Sequence, residues 1–150
     1  MKLANLLKRK KYSKVNLKLI NTNHFEVKAK INGVKGTFIL DTGASNSCID
    51  INLAEKFNLV SEDSETKAAG AGASGMPTKV SENNTLELKE WKYKNFALVL
   101  LDLSHVNDAL TTHEANEVDG IIGADILQKG KAIIDYGKKE LFLKRLIFKY

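Results

Sequence analysis

The sequence predicts a mostly β fold with short helices at its corners. Apolar and polar residues alternate over short segments, as along residues 15–21 and 25–31, which is the period of half-buried strands. Turn signals separate these segments, chiefly Asn21-Thr22-Asn23 and Asn32-Gly33. Strands and long helices do not alternate regularly, which disfavours a doubly wound parallel sheet.

The elements follow in order. Residues 1–14 form a basic N-terminal arm, read as a poorly ordered segment or a frayed helix, ahead of a single domain over residues 15–150. Strands are predicted over residues 15–21 and 25–31. The Asn32-Gly33 hairpin turn then leads into a third strand, 34–40, which ends in the apolar run Phe38-Ile39-Leu40. The compact turn Asp41-Thr42-Gly43-Ala44-Ser45 follows, and Cys48-Ile49 resumes as a short strand. Asp50 is placed to cap a short helix with Leu53, Ala54 and Phe57 on one face. Residues 66–80, glycine-rich at the centre, read as a long hairpin. Further strands are expected at 85–88 and 96–101, then a short helix capped by Ser104. Residues 118–123 read as a buried strand, and 124–128 as a short helix closed by Gly130. Segments 132–134 and 141–143 pair around Tyr136-Gly137-Lys138, and 146–150 forms one more candidate strand.

Composition narrows the function classes. The net charge is +5, with Lys8, Arg9, Lys10, Lys11 and Lys14 concentrated in the arm. Tyr12 is the one aromatic within that cluster, and no zinc or helix-turn-helix signature follows it. It reads as a solvated arm, and no nucleic-acid partner is expected. Cys48 is the single cysteine, which excludes an internal disulfide framework and a multi-thiolate metal site. It reads as a small buried hydrophobe. His24, His105 and His113 lack metal-ligand spacing, so neither metal nor cofactor is expected. The apolar part of residues 1–11 is too short for a signal peptide, and no run reaches the length of a membrane span. The expectation is a soluble, cytoplasmic protein without a membrane partner.

The residues that carry chemistry begin at Asp41. An apolar strand buries Phe38-Ile39-Leu40 and delivers a carboxylate at its end. An ionised carboxylate there is costly unless it is hydrogen-bonded or shares a proton. Thr42 and Ser45 supply hydroxyls, and Gly43 lets a backbone N–H approach closely. Downstream, Val118-Asp119-Gly120-Ile121-Ile122-Gly123-Ala124-Asp125-Ile126-Leu127 suits a strand packed behind that loop, with Gly123 allowing a sharp exit into a helix. Asp119 and Asp125 are assigned turn and helix-start roles. Trp91 and Tyr93 are read as covering a sheet face.

With these two motifs in this order, and a glycine-rich hairpin between them, the chain resembles the retropepsin-like aspartic proteases. The match runs over residues 15–143. It implies a closed β-barrel, and a homodimer in which each copy gives one Asp-Thr-Gly loop to a catalytic dyad. The chain holds one such triad, so the implied endopeptidase needs two chains and acts on a peptide or protein substrate. The resemblance assigns catalysis to Asp41, bracing of the loops across the dimer to Thr42, and a substrate-side contact to Gly43. It assigns further substrate contacts to Ala44, Ser45, Ile121, Ile122 and Gly123. The hairpin would be the flap, with Gly70, Ala71, Gly72, Ala73, Ser74, Gly75 and Met76 closing over the peptide. The same hairpin spells G-x-G-x-x-G, but a polar segment precedes it and Pro77 follows where a helix should run, so a dinucleotide site is rejected. The chain continues well beyond Leu127, as cellular members of the family do and retroviral ones do not. The apolar tail Leu146-Ile147-Phe148 is a candidate either for the dimer interface or for a last core strand. A non-catalytic module on the same fold, binding a peptide or mediating dimerisation, is the alternative to a peptidase.

Overall fold

In the computed structural model, which describes residues 2–68 and 76–146, the chain folds around the hairpin of β3 (Phe25–Ile31) and β4 (Val34–Leu40). The turn between them has positive φ at both central residues, 51° at Asn32 and 83° at Gly33. Turns of that hand match the twist of the flanking strands, and glycine adopts the second position without strain. The turn sets the register, with Ile31 opposite Val34 and Phe25 opposite Leu40.

From this hairpin a six-stranded barrel closes. β4 runs parallel to β9 (Gly120–Ile122), and β9 is antiparallel to β5 (Cys48–Asp50). β5 is parallel to β8 (Trp91–Leu101), which pairs antiparallel with β7 (Met76–Leu88). β7 returns to β3 through Lys30↔Glu87 and Ile31↔Leu86, and so completes the ring. Closure satisfies strand edges that an open sheet would leave unpaired. β2 (Lys18–Leu19) extends the sheet beyond β3, and β6 (Ser61–Ala68) beyond β7. A separate three-stranded sheet has the order β1 (Tyr12–Asn16), β11 (Glu140–Lys144), β10 (Ile133–Asp135). The helices are α1 (Leu3–Arg9), α2 (Ser104–Thr112) and α3 (Ala124–Lys129).

Two apolar clusters hold these layers. The larger fills the barrel and the space under the small sheet, and includes Val27, Ile31, Phe38, Phe57, Trp91 and Leu143. The smaller lies beneath α2 and gathers Ile39, Cys48, Leu103, Leu110, Val118 and Ile121. The mostly β, closed-barrel architecture with short helices is the one expected.

Several boundaries differ from the sequence expectation, each for a local reason. The first strand starts inside the basic arm, because Tyr12, Ser13 and Lys14 pair with Lys144, Leu143 and Phe142 of β11. The predicted strand 15–21 is broken at Leu17, whose N–H turns to Lys139 O as the chain crosses from the small sheet to the barrel. β7 and β8 are longer than expected. β7 shifts register around Asn84, which hides its period of two. Buried Asn84 is tolerated there because its amide donates to Ser81 O and Phe96 O, and its Oδ1 accepts from Asn32 Nδ2. Asp50 does cap, its carboxylate accepting the Asn52 N–H at the head of a 3-10 turn (Ile51–Leu53). Ser104 does not: it is the first helical residue, and Asp102 Oδ1 accepts both its N–H (2.8 Å) and its hydroxyl (2.6 Å). Those two bonds hold the Asp102 carboxyl below its ordinary range. Trp91 lies in the core and donates its indole N–H to Lys144 O. Leu146 packs against the large cluster, while 147–150, including Ile147 and Phe148, lie outside the described residues.

Candidate active site

Asp41 stands where β4 ends. The strand carries buried Phe38, Ile39 and Leu40 into the interior, and Leu40 pairs in parallel with Ile122. One more ladder bond, Asp41 N–H to Ile122 O at 2.9 Å, fixes the aspartate backbone against β9. The chain then turns tightly. Gly43 N–H donates to Asp41 Oδ1 at 2.9 Å, and Ala44 N–H to Asp41 O at 3.2 Å. The carboxylate is thus oriented by the loop's own backbone. Asp41 is half-buried, whereas Thr42, Gly43 and Ser45 are exposed and Ala44 is half-buried.

The loop is fastened from behind by the second motif. Ala44 O accepts the Ala124 N–H at 2.7 Å. This approach needs Gly123, because a Cβ there would lie 2.6 Å from Ala44 O. Ser47, fully buried, joins three groups. Its hydroxyl donates to Asp125 Oδ1 (2.7 Å) and accepts the Gly123 N–H (2.8 Å), while its own N–H donates to Asp125 Oδ2 (3.0 Å). Asp125 Oδ1 also accepts the Ile126 N–H (2.9 Å) at the start of α3. Asp125 therefore does sit at a helix start, and it also locks the Asp41 loop to α3. Ser47 went unnoticed in the sequence. Its only signal is a small hydroxyl residue placed directly before the apolar Cys48-Ile49. Asp119 acts at the other end of β9, accepting the Thr37 N–H at 2.8 Å.

Ile121 and Ile122 are buried, one in each apolar cluster, and back the loop from the interior. Gly70, Ala71, Gly72, Ala73, Ser74 and Gly75 lie outside the described residues. Met76 opens β7, paired with Ala68 at the inner end of the hairpin arms. Cys48 is buried, and its thiol is pushed up to about 12, by loss of solvation first and then by the carboxylates of Asp125, Asp41 and Asp50. It is a poor nucleophile at ordinary pH.

Chemically, one chain presents a single oriented carboxylate at the end of β4. Asp41 has one oxygen held by Gly43, and its other oxygen has no hydrogen-bond partner among the described residues. Asp125, the nearby alternative, has both oxygens engaged by Ser47. Thr42 lies exposed beside Asp41 with no partner among the described residues. No group of three or more His, Cys, Asp or Glu among those residues is placed to hold a metal ion. None of the helices in them is long and apolar enough to cross a membrane.

Comparisons with known proteins agree with this geometry. The family model for aspartyl protease matches residues 27–126, a span holding both the Asp41 loop and Gly123. A retropepsin-like aspartic protease from Rickettsia conorii is similar in structure, with 20% identity, 89% of this chain and 92% of that one covered, and a TM-score of 0.60. The EIAV protease complexed with the inhibitor HBY-793 is similar at 20% identity, over 73% of this chain and 90% of that one, with a TM-score of 0.55. So is the retroviral protease-like domain of Ddi1 from Leishmania major, at 20% identity, 81% and 88% coverage, and a TM-score of 0.55. At such identity the likeness is one of fold. A search of curated proteins found no match.

Proposed function

Given that this chain belongs to the aspartyl protease family and has the retropepsin-like fold, we propose that it is an aspartic endopeptidase working as a homodimer. The observation that carries this reading is the half-site itself. A single Asp-Thr-Gly loop presents one oriented carboxylate at an exposed edge, and the chain has no second copy of the triad. A two-fold axis beside Thr42 would bring two such loops together in an isologous contact.

The chemistry then follows from the pair. Two carboxylates within hydrogen-bond reach hold one proton between them, because both cannot readily ionise. Their titration belongs to the dyad as a unit. One carboxylate takes a proton from a bound water as that water attacks the peptide carbonyl. The other donates its proton to the carbonyl oxygen, and the tetrahedral species collapses with protonation of the leaving amine. The Gly43 N–H holds Asp41 in position throughout, so little reorganisation accompanies the proton transfers. In this reading Thr42 braces the two loops across the dimer. Gly43, Ala44, Ser45 and the hairpin residues 70–76 meet the peptide. The unpaired Cys48 suits a reducing compartment, which is why the proposal places the activity in the cytoplasm.

The test is cleavage of a mixed peptide library from acid to neutral pH by the wild-type chain and by Asp41→Asn, each shown to be dimeric by sedimentation. Cleavage by the first and not the second supports the proposal. Mixing adds a check on the dyad. An equal amount of Asp41→Asn chain, exchanged into a fixed amount of wild type, leaves about half the activity if each site draws one aspartate from each chain. Activity unchanged by mixing would refute shared sites. A dimeric wild type that cleaves nothing would leave the fold as a binding or dimerisation module.

A further inference from the structure

The outer face of the β3–β4 hairpin forms a second concave site, unconnected with the carboxylate chemistry. It is a groove of about 810 Å³, reaching from Val15 and Asn16 of β1, across Ala29 and Gly36, to Asp119. Lys35 lies at the start of β4 and Asp41 just past its end, about 20 Å apart along an extended strand. Five lysines line the groove: Lys28, Lys30, Lys35, Lys56 and Lys89.

Its charge is uncompensated in a specific way. The three carboxylates that also line it each face a cation: Asp119 with Lys56 (3.5 Å), Glu87 with Lys92 (4.0 Å) and Glu90 with Arg145 (3.4 Å). Lys28 is held by Glu26 (3.6 Å) and donates to Thr37 Oγ1 (2.6 Å). Lys30, Lys35 and Lys89 form no ion pair among the described residues, although Glu87 of β7 stands opposite Lys30. Lys30 and Lys35 are direct cross-strand partners, so two like charges stand opposite each other on one sheet face. Such a pair is destabilising, and Glu87, opposite Lys30 on its other side, offsets only part of the repulsion.

We propose that this lysine groove binds an acidic polypeptide segment in extended conformation. Lys28 and Lys30 are exposed at alternate positions of β3, about 7 Å apart along the strand. An extended peptide with acidic residues at every second position repeats at the same interval, so its carboxylates meet Lys30 and, in exchange for Glu26, Lys28. The three carboxylates in the wall are engaged by cations, and they oppose the continuous charge of a nucleic acid more than the spaced charges of a peptide. The groove also has no aromatic lining on which bases would stack. Binding here is independent of proteolysis, and so stands or falls apart from the function proposed above.

The experiment is fluorescence anisotropy of a labelled alternating Glu-Ala octapeptide, with a Lys-Ala octapeptide and a single-stranded oligonucleotide as comparisons, titrated with the full chain. The acidic peptide is expected to bind, more weakly as salt rises, and Asp41→Asn to bind as wild type does. Lys30→Gln/Lys35→Gln should weaken binding roughly tenfold, two exposed ion pairs being lost. That variant should melt close to wild type, since the Lys30–Lys35 repulsion and the Lys30–Glu87 attraction are lost together. Lys89→Gln, away from the cross-strand pair, gives an independent loss if the double variant proves unstable. Lys8→Gln/Lys10→Gln removes the same net charge from the C-terminal end of α1 and the residue after it, and should leave binding unchanged. Equal weakening by the groove and α1 variants, tighter binding of the oligonucleotide, or no binding of the acidic peptide by wild type would each overturn the proposal.

Discussion

Replacing Ser47 by alanine tests the lock behind the Asp41 loop. The change removes one hydroxyl from a wholly buried position and leaves the backbone free to stay in place. Two hydrogen bonds go with it. The bond to Asp125 Oδ1 has a charged acceptor and is worth about 1.5–3 kcal/mol. The Gly123 N–H is left buried without its acceptor, costing about 1–3 kcal/mol. Asp125 keeps the Ser47 and Ile126 N–H donors and is not itself orphaned. The total is about 2.5–6 kcal/mol, a large part of the roughly 5–15 kcal/mol typical of a domain. For a chain of this length it corresponds to a fall of about 10 °C in Tm. Urea unfolding followed by the fluorescence of core Trp91 reads the loss, at two protein concentrations so that any dimer contribution is separated. Ser45→Ala, exposed on the same loop, is the control and should lie within about 0.5 kcal/mol of wild type. A cycle with Asp125→Asn should show coupling of about 0.5–3 kcal/mol. If Ser47→Ala unfolds with Ser45→Ala and the cycle is additive, the lock contributes nothing and the argument fails.

Gly123→Ala should shift the Asp41 loop, because the new Cβ meets backbone at Ala44 O and not a mobile side chain. A loss of about 1–3 kcal/mol in urea, with peptide cleavage falling further than stability, is expected; wild-type activity in this variant would contradict the close approach. Cys48 should resist thiol reagents in the folded chain and react once urea unfolds it. Because folding raises its pKa from 9.0 to about 12, its contribution is fully present below pH 9 and is lost as pH rises toward 12. Wild type should therefore lose about 1 kcal/mol more than Cys48→Ala by pH 10. Asp102 is shifted the other way, by the Ser104 hydroxyl and N–H. Its cap on α2 is present above the ordinary carboxylate pKa and is lost as pH falls through its lower folded value. A carboxyl-carbon NMR titration with an Asp102 midpoint at or above the ordinary value would refute the cap.

The sequence by itself determined the parts of this protein that depend on neighbours in the chain. The β3–β4 hairpin was legible because Asn32-Gly33 accepts positive φ and the flanking residues alternate cleanly. The Asp41 turn was legible because an apolar strand, a carboxylate and a glycine stand in direct succession. Where backbone geometry breaks the period, legibility ends: the register shifts around Asn84 hid the middle of β7, and the crossing at Leu17 split one predicted strand in two. Only the tertiary structure decided the contacts made across long stretches of chain. It closed the barrel through Lys30↔Glu87, drew the end of the basic arm into a sheet with β11, and set Ser47 against Asp125 and Gly123. It also placed Lys30 and Lys35, ordinary solvated residues in the sequence, face to face over a groove. The physical reason is that periodicity and turn chemistry are local properties of the chain. A buried hydroxyl's partners and a surface charge's neighbours are set by which distant strands pack together.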